Sequence, residues 1–335
     1  MALKPTRAKP ILKRFADQRI LVVGDLMLDR YIYGHVSRIS PEAPVPVVHV
    51  SHEKSMPGGA SNVAANIRAL GGASGVAGIM GLDAPAGELM GLLAKNGVGV
   101  GGVLELPDIK TTVKIRVIAE RQQVVRIDWE DRVRYTAKTV DAFCAKLARE
   151  VAASTGVILE DYGKGVIEQR VIDTALAAAK KAGVPIGLDP KDNHVLRLDG
   201  ITVATPNRKE AFVAARAEET EPLANPLEDR PLLEVGRILL DKWKPELLVI
   251  TLGPHGMILF EGEKDPKHVP TRAREVFDVS GAGDTVIATC VLALAAGATH
   301  SEAAEIANYA AGVVVGKLGT AVCSQEELVQ YMELA

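Results

Sequence analysis

Residues 278–285 read DVSGAGDT, and residues 285–297 continue as TVIATCVLALAAG. Asp284 thus stands at the mouth of an apolar helix, directly behind a glycine turn. Two readings of that carboxylate are open. Negative charge at a helix N-terminus is stabilising, so Asp284 serves as a cap. Alternatively, the N–H groups of Ala282, Gly283 and Asp284 behind Gly281 hold a phosphate, and the carboxylate accepts a proton from a hydroxyl that attacks it.

The flanking sequence says what kind of sheet this helix covers. ILVVGD (20–25), GVILED (156–161), VPIGLD (184–189), ITVATP (201–206) and LLVITLG (247–253) are short apolar runs. They alternate with helical patterns such as VIDTALAAAKKAG (171–183) and LLEVGRILLDKW (232–243). This predicts an α/β fold, a doubly wound and mostly parallel sheet with helices on both faces. Strands buried on both sides are continuously apolar, as these are. PVPVVHVS (44–51) and TTVKIRVIAERQQVVRIDWE (111–130) instead alternate apolar with polar residues. They predict half-exposed antiparallel strands, with AERQ as a hairpin turn. We expect a small lid sheet from inserted segments, about 35–57 and 108–130, in one domain spanning 1–335. The lid's exposed face, with Val45, Val47, Ile115 and Val117, requires cover from substrate or from a second copy of the chain.

The chain has 335 residues, 47% hydrophobic and 24% charged, with a formal net charge of −3. That balance gives no basic footprint for nucleic acid. The longest apolar run, about 286–298, is too short to span a membrane. The first 19 residues carry six basic residues and no apolar signal core, so residues 1–14 are expected to be a flexible basic tail, or a short leading helix. Cys144, Cys290 and Cys323 show no CxxC spacing, which argues for reduced thiols in a cytoplasm and against a disulfide frame or a zinc site.

In open α/β sheets ligands bind beyond the carboxyl ends of the strands. The first such end offers Asp25 and Asp29 in GDLMLD, as acceptors for sugar hydroxyls or as turn and cap residues. MPGGASNVAANIRALGG (56–72) follows. There Gly58 and Gly59 permit close backbone approach, and Asn62 opens a helix, as a capping residue or as an amide for a polyol. EDYGKG (160–165) and LDPK (188–191) place Lys164, Asp189 and Lys191 at neighbouring strand ends, suited to an anionic ligand or to solvent. In TPNRKE (205–210), Asn207 and Glu210 form a capping box, or hold water around Mg²⁺. TLGPHG (251–256) is a hairpin turn, or a place where a nucleotide lies against the backbone at Thr251, Gly253 and Gly256. Taken together the set suits phosphoryl transfer to a sugar hydroxyl, which asks for positioning and charge neutralisation.

GGASNVAANIRALGG and DVSGAGDTVIATC resemble the two signatures of the ribokinase-like carbohydrate kinases, and TPNRKE resembles that family's Asn-x-x-Glu motif. The likeness covers about residues 15–330. GDLMLDRYIYGHVSRISPEAPVPVV (24–48) resembles the opening of bacterial D-glycero-D-manno-heptose-7-phosphate kinases. The resemblance implies ATP, Mg²⁺, phosphorylation of the anomeric hydroxyl in ADP-heptose supply for lipopolysaccharide cores, and a homodimer joined through the lid. It implies Asp284 as the base, with Gly281, Ala282 and Gly283 in the anion hole. Asn207 and Glu210 fall in the Mg²⁺–phosphate shell. Thr251, Gly253, Gly256 and Asn308 lie along the nucleotide, while Asp29, Gly58, Gly59 and Asn62 hold sugar. For the substrate's own remote phosphate we expect Arg116 with Lys191, then Lys164. Many relatives continue into a nucleotidyltransferase domain; this sequence ends at Ala335, so the kinase step alone is expected. The rivals are a kinase for another sugar, an inactive sugar-phosphate sensor, and a dehydrogenase, which the missing GxGxxG disfavours.

Overall fold

The computed structural model of the chain describes residues 3–120, 122–191, 196–317, 319 and 321–334. Helix α1 (Pro5–Lys13) leads into β1 (Arg19–Gly24), and β2 (Leu26–Ile39) and β3 (Pro46–Gly59) follow as a long hairpin. Next come α2 (Ala60–Ala69), β4 (Ala73–Gly81), α3 (Ala84–Lys95), β5 (Gly99–Leu106) and the hairpin β6 (Thr112–Ala119) and β7 (Gln122–Trp129). The second half runs α4 (Ala137–Ala152), β8 (Gly156–Glu160), α5 (Gln169–Ala182), β9 (Ile186–Asp189), β10 (Val203–Ala204), α6 (Arg208–Ala215) and α7 (Arg230–Trp243). It closes with β11 (Leu247–Thr251), β12 (Met257–Phe260), β13 (Lys267–Val269), α8 (Ala282–Ala295), α9 (His300–Val314) and α10 (Gln325–Glu333).

The larger sheet has nine strands in the order β13-β12-β11-β10-β9-β8-β1-β4-β5. Every pairing from β11 to β5 is parallel, and β12 and β13 add an antiparallel edge. Successive residues feed opposite cores. Val22, Ile158, Val203 and Val249 pack with residues of α2, α8 and α9, whereas Leu21, Val23, Leu159 and Leu248 pack with α4, α5 and α7. This two-sided burial explains the unbroken apolar runs. Each fully buried Ile or Leu in them contributes roughly 1.5–3 kcal/mol.

The smaller sheet has the order β3-β2-β6-β7. It differs from the expected lid in three ways. Residues 26–34, of which 24–29 were expected as a strand end and turn, join residues 35–39 of the expected lid in β2, which lies between the two alternating segments. The lid therefore begins at Leu26 rather than near 35 and runs to Gly59. The cause is that Leu26, Met27 and Leu28 are all buried, so the apolar run hides the strand's alternation. Secondly, β2 pairs with β6 in parallel, while β2–β3 and β6–β7 are antiparallel. Thirdly, the register places Val48 and Val50, not Val47, on the face of Ile115 and Val117. The β6–β7 turn falls at AERQ as expected, with Glu120 in the left-handed region at φ 57°; Arg121 lies outside the described residues.

Of the two expectations for the N-terminal segment, the short leading helix holds, as α1, and the free tail does not. Ala8, Ile11, Leu12 and Phe15 are buried, at the i, i+3, i+4, i+7 spacing of one helical face. Arg7 pairs with Glu302 at 2.5 Å, and the Gln325 side chain donates to Leu12 O at 2.5 Å. The interspersed basic residues masked this stripe in the sequence.

Candidate active site

Asp284 sits in the first turn of α8 and is only 8% exposed. Its carboxylate accepts from the Asn62 amide at Oδ2 (2.6 Å) and from the Tyr162 hydroxyl at Oδ1 (2.8 Å). The helix starts at Gly281, whose φ of 78° lies in the left-handed region, and no side chain caps it. Asp284 does not close a capping box on α8: its oxygens accept from α2 and from the loop after β8. Burial raises its pKa, and the Asn62 and Tyr162 hydrogen bonds oppose that rise. Next to it, Thr285 Oγ1 donates to Asn66 Oδ1 at 3.0 Å, which binds the starts of α2 and α8 together.

Helix α2 also begins at a positive-φ glycine without a side-chain cap, Gly59 at φ 55°. Asn62 is therefore not the capping residue considered above; it lies inside the first turn, where its amide reaches Asp284. Gly58 is required by close approach, because a Cβ there would stand 2.7 Å from Asp29 Oδ2. Asp29, on β2 and 4% exposed, pairs with Arg116 Nη1 on β6 at 2.6 Å. The Arg116 guanidinium also lies over the Tyr31 ring, 5.3 Å from its centroid. Lys164 pairs with Glu130 at 2.6 Å, and Glu130 also faces Lys114 at 3.6 Å, so the end of the lid is tied to the loop after β8. Asp25, buried where the chain passes from the large sheet to the lid, accepts the N–H groups of Tyr162, Lys164 and Val166. Its burial lifts its pKa against those three donors.

Beyond Asp284 lies an acidic cluster. Glu160 at the end of β8 and Asp189 at the end of β9 are both held well above the carboxylate range. For each the main cause is burial; neighbouring carboxylates add to it, Asp189 foremost for Glu160 and Glu210 for Asp189. Thr205 donates to Asp189 Oδ1 at 2.8 Å, and Lys191 reaches Glu210 Oε1 at 3.5 Å. Glu160 Oε2 is buried without a hydrogen-bond partner. Carboxyl groups that burial and their neighbours keep from ionising would ionise beside a cation, so the cluster fits a hydrated dication. Among the described residues no set of three or more His, Cys, Asp or Glu side chains is placed to chelate a metal. Asn207 and Glu210 do form the capping box of α6: Glu210 N donates to Asn207 Oδ1 and Asn207 N to Glu210 Oε2, both at 2.9 Å.

On the other side of α8's start is a cleft of about 420 Å³, lined by Thr251, Gly253, Gly256, Val276, Val279, Ala282, Gly283, Asn308 and Gly312 among others. It is mostly apolar, as a planar base requires, and it ends at the α8 N-terminus. Asn308 donates to Pro270 O at 2.7 Å, which fixes one wall.

The expected residues therefore fall into three neighbouring groups. Asp29, Gly58, Asn62 and Arg116 lie at the lid side, Asp189, Lys191, Asn207 and Glu210 at the ends of β9 and β10, and Thr251, Gly253, Gly256 and Asn308 in the cleft. Asp284 stands where they meet. Lys191 is on the Glu210 side rather than beside Arg116, and Lys164 is engaged by Glu130. Two residues were missed. Tyr162 was passed over because EDYGKG was read for its charges, although an aromatic amid polar residues at a strand end was a usable signal. Glu160 read as the last residue of a strand, and only the sheet order reveals its acidic neighbours.

A family model described as pfkB family carbohydrate kinase matches residues 17–327. The chain belongs to that family. Among curated proteins, this pfkB-family chain is 41% identical over 322 residues to the bifunctional protein HldE of Vibrio cholerae, covering 96% of the chain and 65% of the relative. It is 44% identical over 317 residues to HldE of Caulobacter vibrioides, covering 94% and 64%. The chain thus spans a little under two thirds of the length of these relatives. Among solved structures, Arabidopsis thaliana ribokinase complexed with ribose and ATP superposes with a TM-score of 0.70 at 20% identity, covering 95% of this chain and 99% of that one. Escherichia coli phosphofructokinase-2 in complex with potassium gives 0.73 at 20%, covering 95% and 99%. These two establish the ribokinase-like fold.

Proposed function

We propose that the protein transfers the γ-phosphoryl group of ATP to the anomeric hydroxyl of D-glycero-D-manno-heptose 7-phosphate, giving the 1,7-bisphosphate. The observation that carries the phosphoryl-transfer reading is Asp284, a buried carboxylate held by Asn62 and Tyr162 beside the uncapped start of α8. The heptose assignment rests on the likeness of residues 24–48 to heptose-7-phosphate kinases, and the identity with the HldE proteins supports it.

In this reading the adenine lies in the cleft between Gly256 and Asn308, and the phosphates run toward α8. The N–H groups of Gly283 and Asp284, joined by that of Ala282 once it leaves Val279 O (3.2 Å), stabilise charge on the transferring phosphoryl group, with the helix dipole behind them. Asp284 takes the proton of the sugar hydroxyl as the oxygen attacks. Asn207 and Glu210 would hold Mg²⁺ through water, and the ion would supply charge neutralisation to the phosphates. Asp29 and the Gly58–Gly59 turn hold the sugar, and Arg116 faces its remote phosphate; Lys164 stands as a further cation for it, and Lys191 serves the nucleotide phosphates beside Glu210. The lid's second face, with exposed Val36, Val50, Val125 and Ile127, is covered by a twin lid in a homodimer. No helix among the described residues is long and apolar enough to cross a membrane, and Cys144, Cys290 and Cys323 are free thiols, which suits a cytoplasmic enzyme.

Mass spectrometry of the product from heptose 7-phosphate and ATP tests the reaction; a 1,7-bisphosphate is expected, and turnover only with another sugar would reject the substrate. Arg116→Ala is expected to raise the sugar-phosphate KM about 10–100-fold with the ATP KM unchanged. Light scattering at micromolar concentration is expected to report a dimer.

A further inference from the structure

We propose that Tyr162 is a positioning residue for phosphoryl transfer: its hydroxyl on Oδ1 and the Asn62 amide on Oδ2 clamp the Asp284 carboxylate in the orientation that receives the sugar proton. The inference rests on the reading of Asp284 as the base.

The two hydrogen bonds, 2.8 Å from Tyr162 and 2.6 Å from Asn62, land on different oxygens from two different elements, and together they fix the carboxylate plane. Each carboxylate oxygen has two lone pairs, so Oδ1 and Oδ2 can still accept a further proton. Tyr162 is itself held. Asp25 accepts the N–H groups of Tyr162, Lys164 and Val166, and Asp161 accepts that of Gly163 at 2.8 Å. The loop that carries the phenol is thus anchored at its backbone, and the ring position is set before any ligand arrives. Tyr162 cannot act as an acid or base here, because burial and the nearby Asp284 and Glu160 push its phenol well above the ordinary value. It remains a hydrogen-bond donor throughout.

The charges facing Asp284 make this donor matter. Asp29 comes from β2, Glu160 from the end of β8 and Asp189 from the end of β9, and Arg116 faces Asp29 from β6. Burial first, and then the Asp29 carboxylate, favour the protonated form of Asp284, which cannot serve as a base. The Asn62 and Tyr162 donors favour the ionised form. Removal of either donor raises the pKa of Asp284, so the fraction of active enzyme falls at the acidic side.

The test is the pH profile of kcat/KM for heptose 7-phosphate with Tyr162→Phe, which keeps the ring and deletes the donor. The acidic limb is expected to move up by about 0.5–1 pH unit, with kcat at the optimum about 3–10-fold lower and the ATP KM unchanged. A second variant, Asn62→Ala, removes the other donor without touching the loop and is expected to shift the limb in the same direction. An unshifted limb in both variants, in an enzyme that Asp284→Asn inactivates, overturns the clamp and leaves the base reading standing. Near-normal turnover in Asp284→Asn overturns both. If Tyr162→Phe fails to fold, the Asn62→Ala profile alone decides: a shifted limb supports the clamp and an unshifted one overturns it.

Discussion

Helices α6 and α8 start from motifs that look alike on paper, TPNRKE and SGAGDT, yet their first turns are finished in opposite ways. In α6 the Asn207 and Glu210 side chains bond reciprocally to each other's backbone N–H groups. Helix α9 does the same with Thr299 and Glu302, and α10 with Ser324 and Glu327. In α8 the turn is a left-handed glycine with no side-chain cap, and its one acidic side chain turns away to Asn62 and Tyr162. A self-satisfied helix start is explained by folding. The start of α8, at the mouth of a cleft, closes one donor on its own turn, Ala282 N–H to Val279 O at 3.2 Å, and has no side chain on the others. Glu210 is intermediate, since the box uses Oε2 while Oε1 faces Lys191.

The contrast breaks first, if it breaks, at Asp284. Asp284→Asn keeps the shape and is expected to lower kcat by roughly 10²–10⁴-fold, with little change in the ATP KM, in a steady-state ADP-release assay. Near-normal kcat would make α8 an ordinary helix start. Next is Gly281→Ala. The left-handed conformation costs a non-glycine residue roughly 1–2 kcal/mol, and a tilted first turn is expected to lower kcat about 10–100-fold. Unchanged kcat with only a lowered melting temperature would show the turn to be structural. Glu210→Gln sharpens the intermediate case. It keeps an acceptor for Asn207 N but removes the charge, and the Mg²⁺ concentration for half-maximal activity is expected to rise about 10-fold. An unmoved Mg²⁺ titration would return Glu210 to the capping class. The smallest effect is expected at Thr299→Ala, a loss of about 0.5–2 kcal/mol in denaturant unfolding with kcat unaltered. A large activity loss there would mean that capping strength alone controls turnover.

The legible part of the fold was its local grammar. Strands β1, β8, β9 and β11 are short apolar runs ended by Gly24, Glu160, Asp189 and Thr251, and their two-sided burial is what makes them readable. The capping box at Asn207 and the glycine turn at Gly281 are also local, each within a few residues. What escaped reading had a periodicity that was either absent or diluted. Strand β2 leaves the carboxyl end of the interior strand β1 for the lid with Leu26, Met27 and Leu28 all buried, so no alternation marks its start. The apolar stripe of α1 is diluted by Lys9 and Lys13, although its spacing was present.

The sequence by itself determined the α/β class, the helix starts and which residue types stand at the strand ends, because periods of 2 and 3.6 residues and the chemistry of caps act between near neighbours. The tertiary structure alone decided what those residues meet. Asn62 reaches Asp284 across 222 positions and Tyr162 across 122. Glu160 and Asp189 stand side by side because β8 pairs with β9. Arg116 meets Asp29 because β6 lies parallel to β2. Such meetings follow from strand order and crossover packing, which pair residues distant along the chain, so no local pattern encodes them.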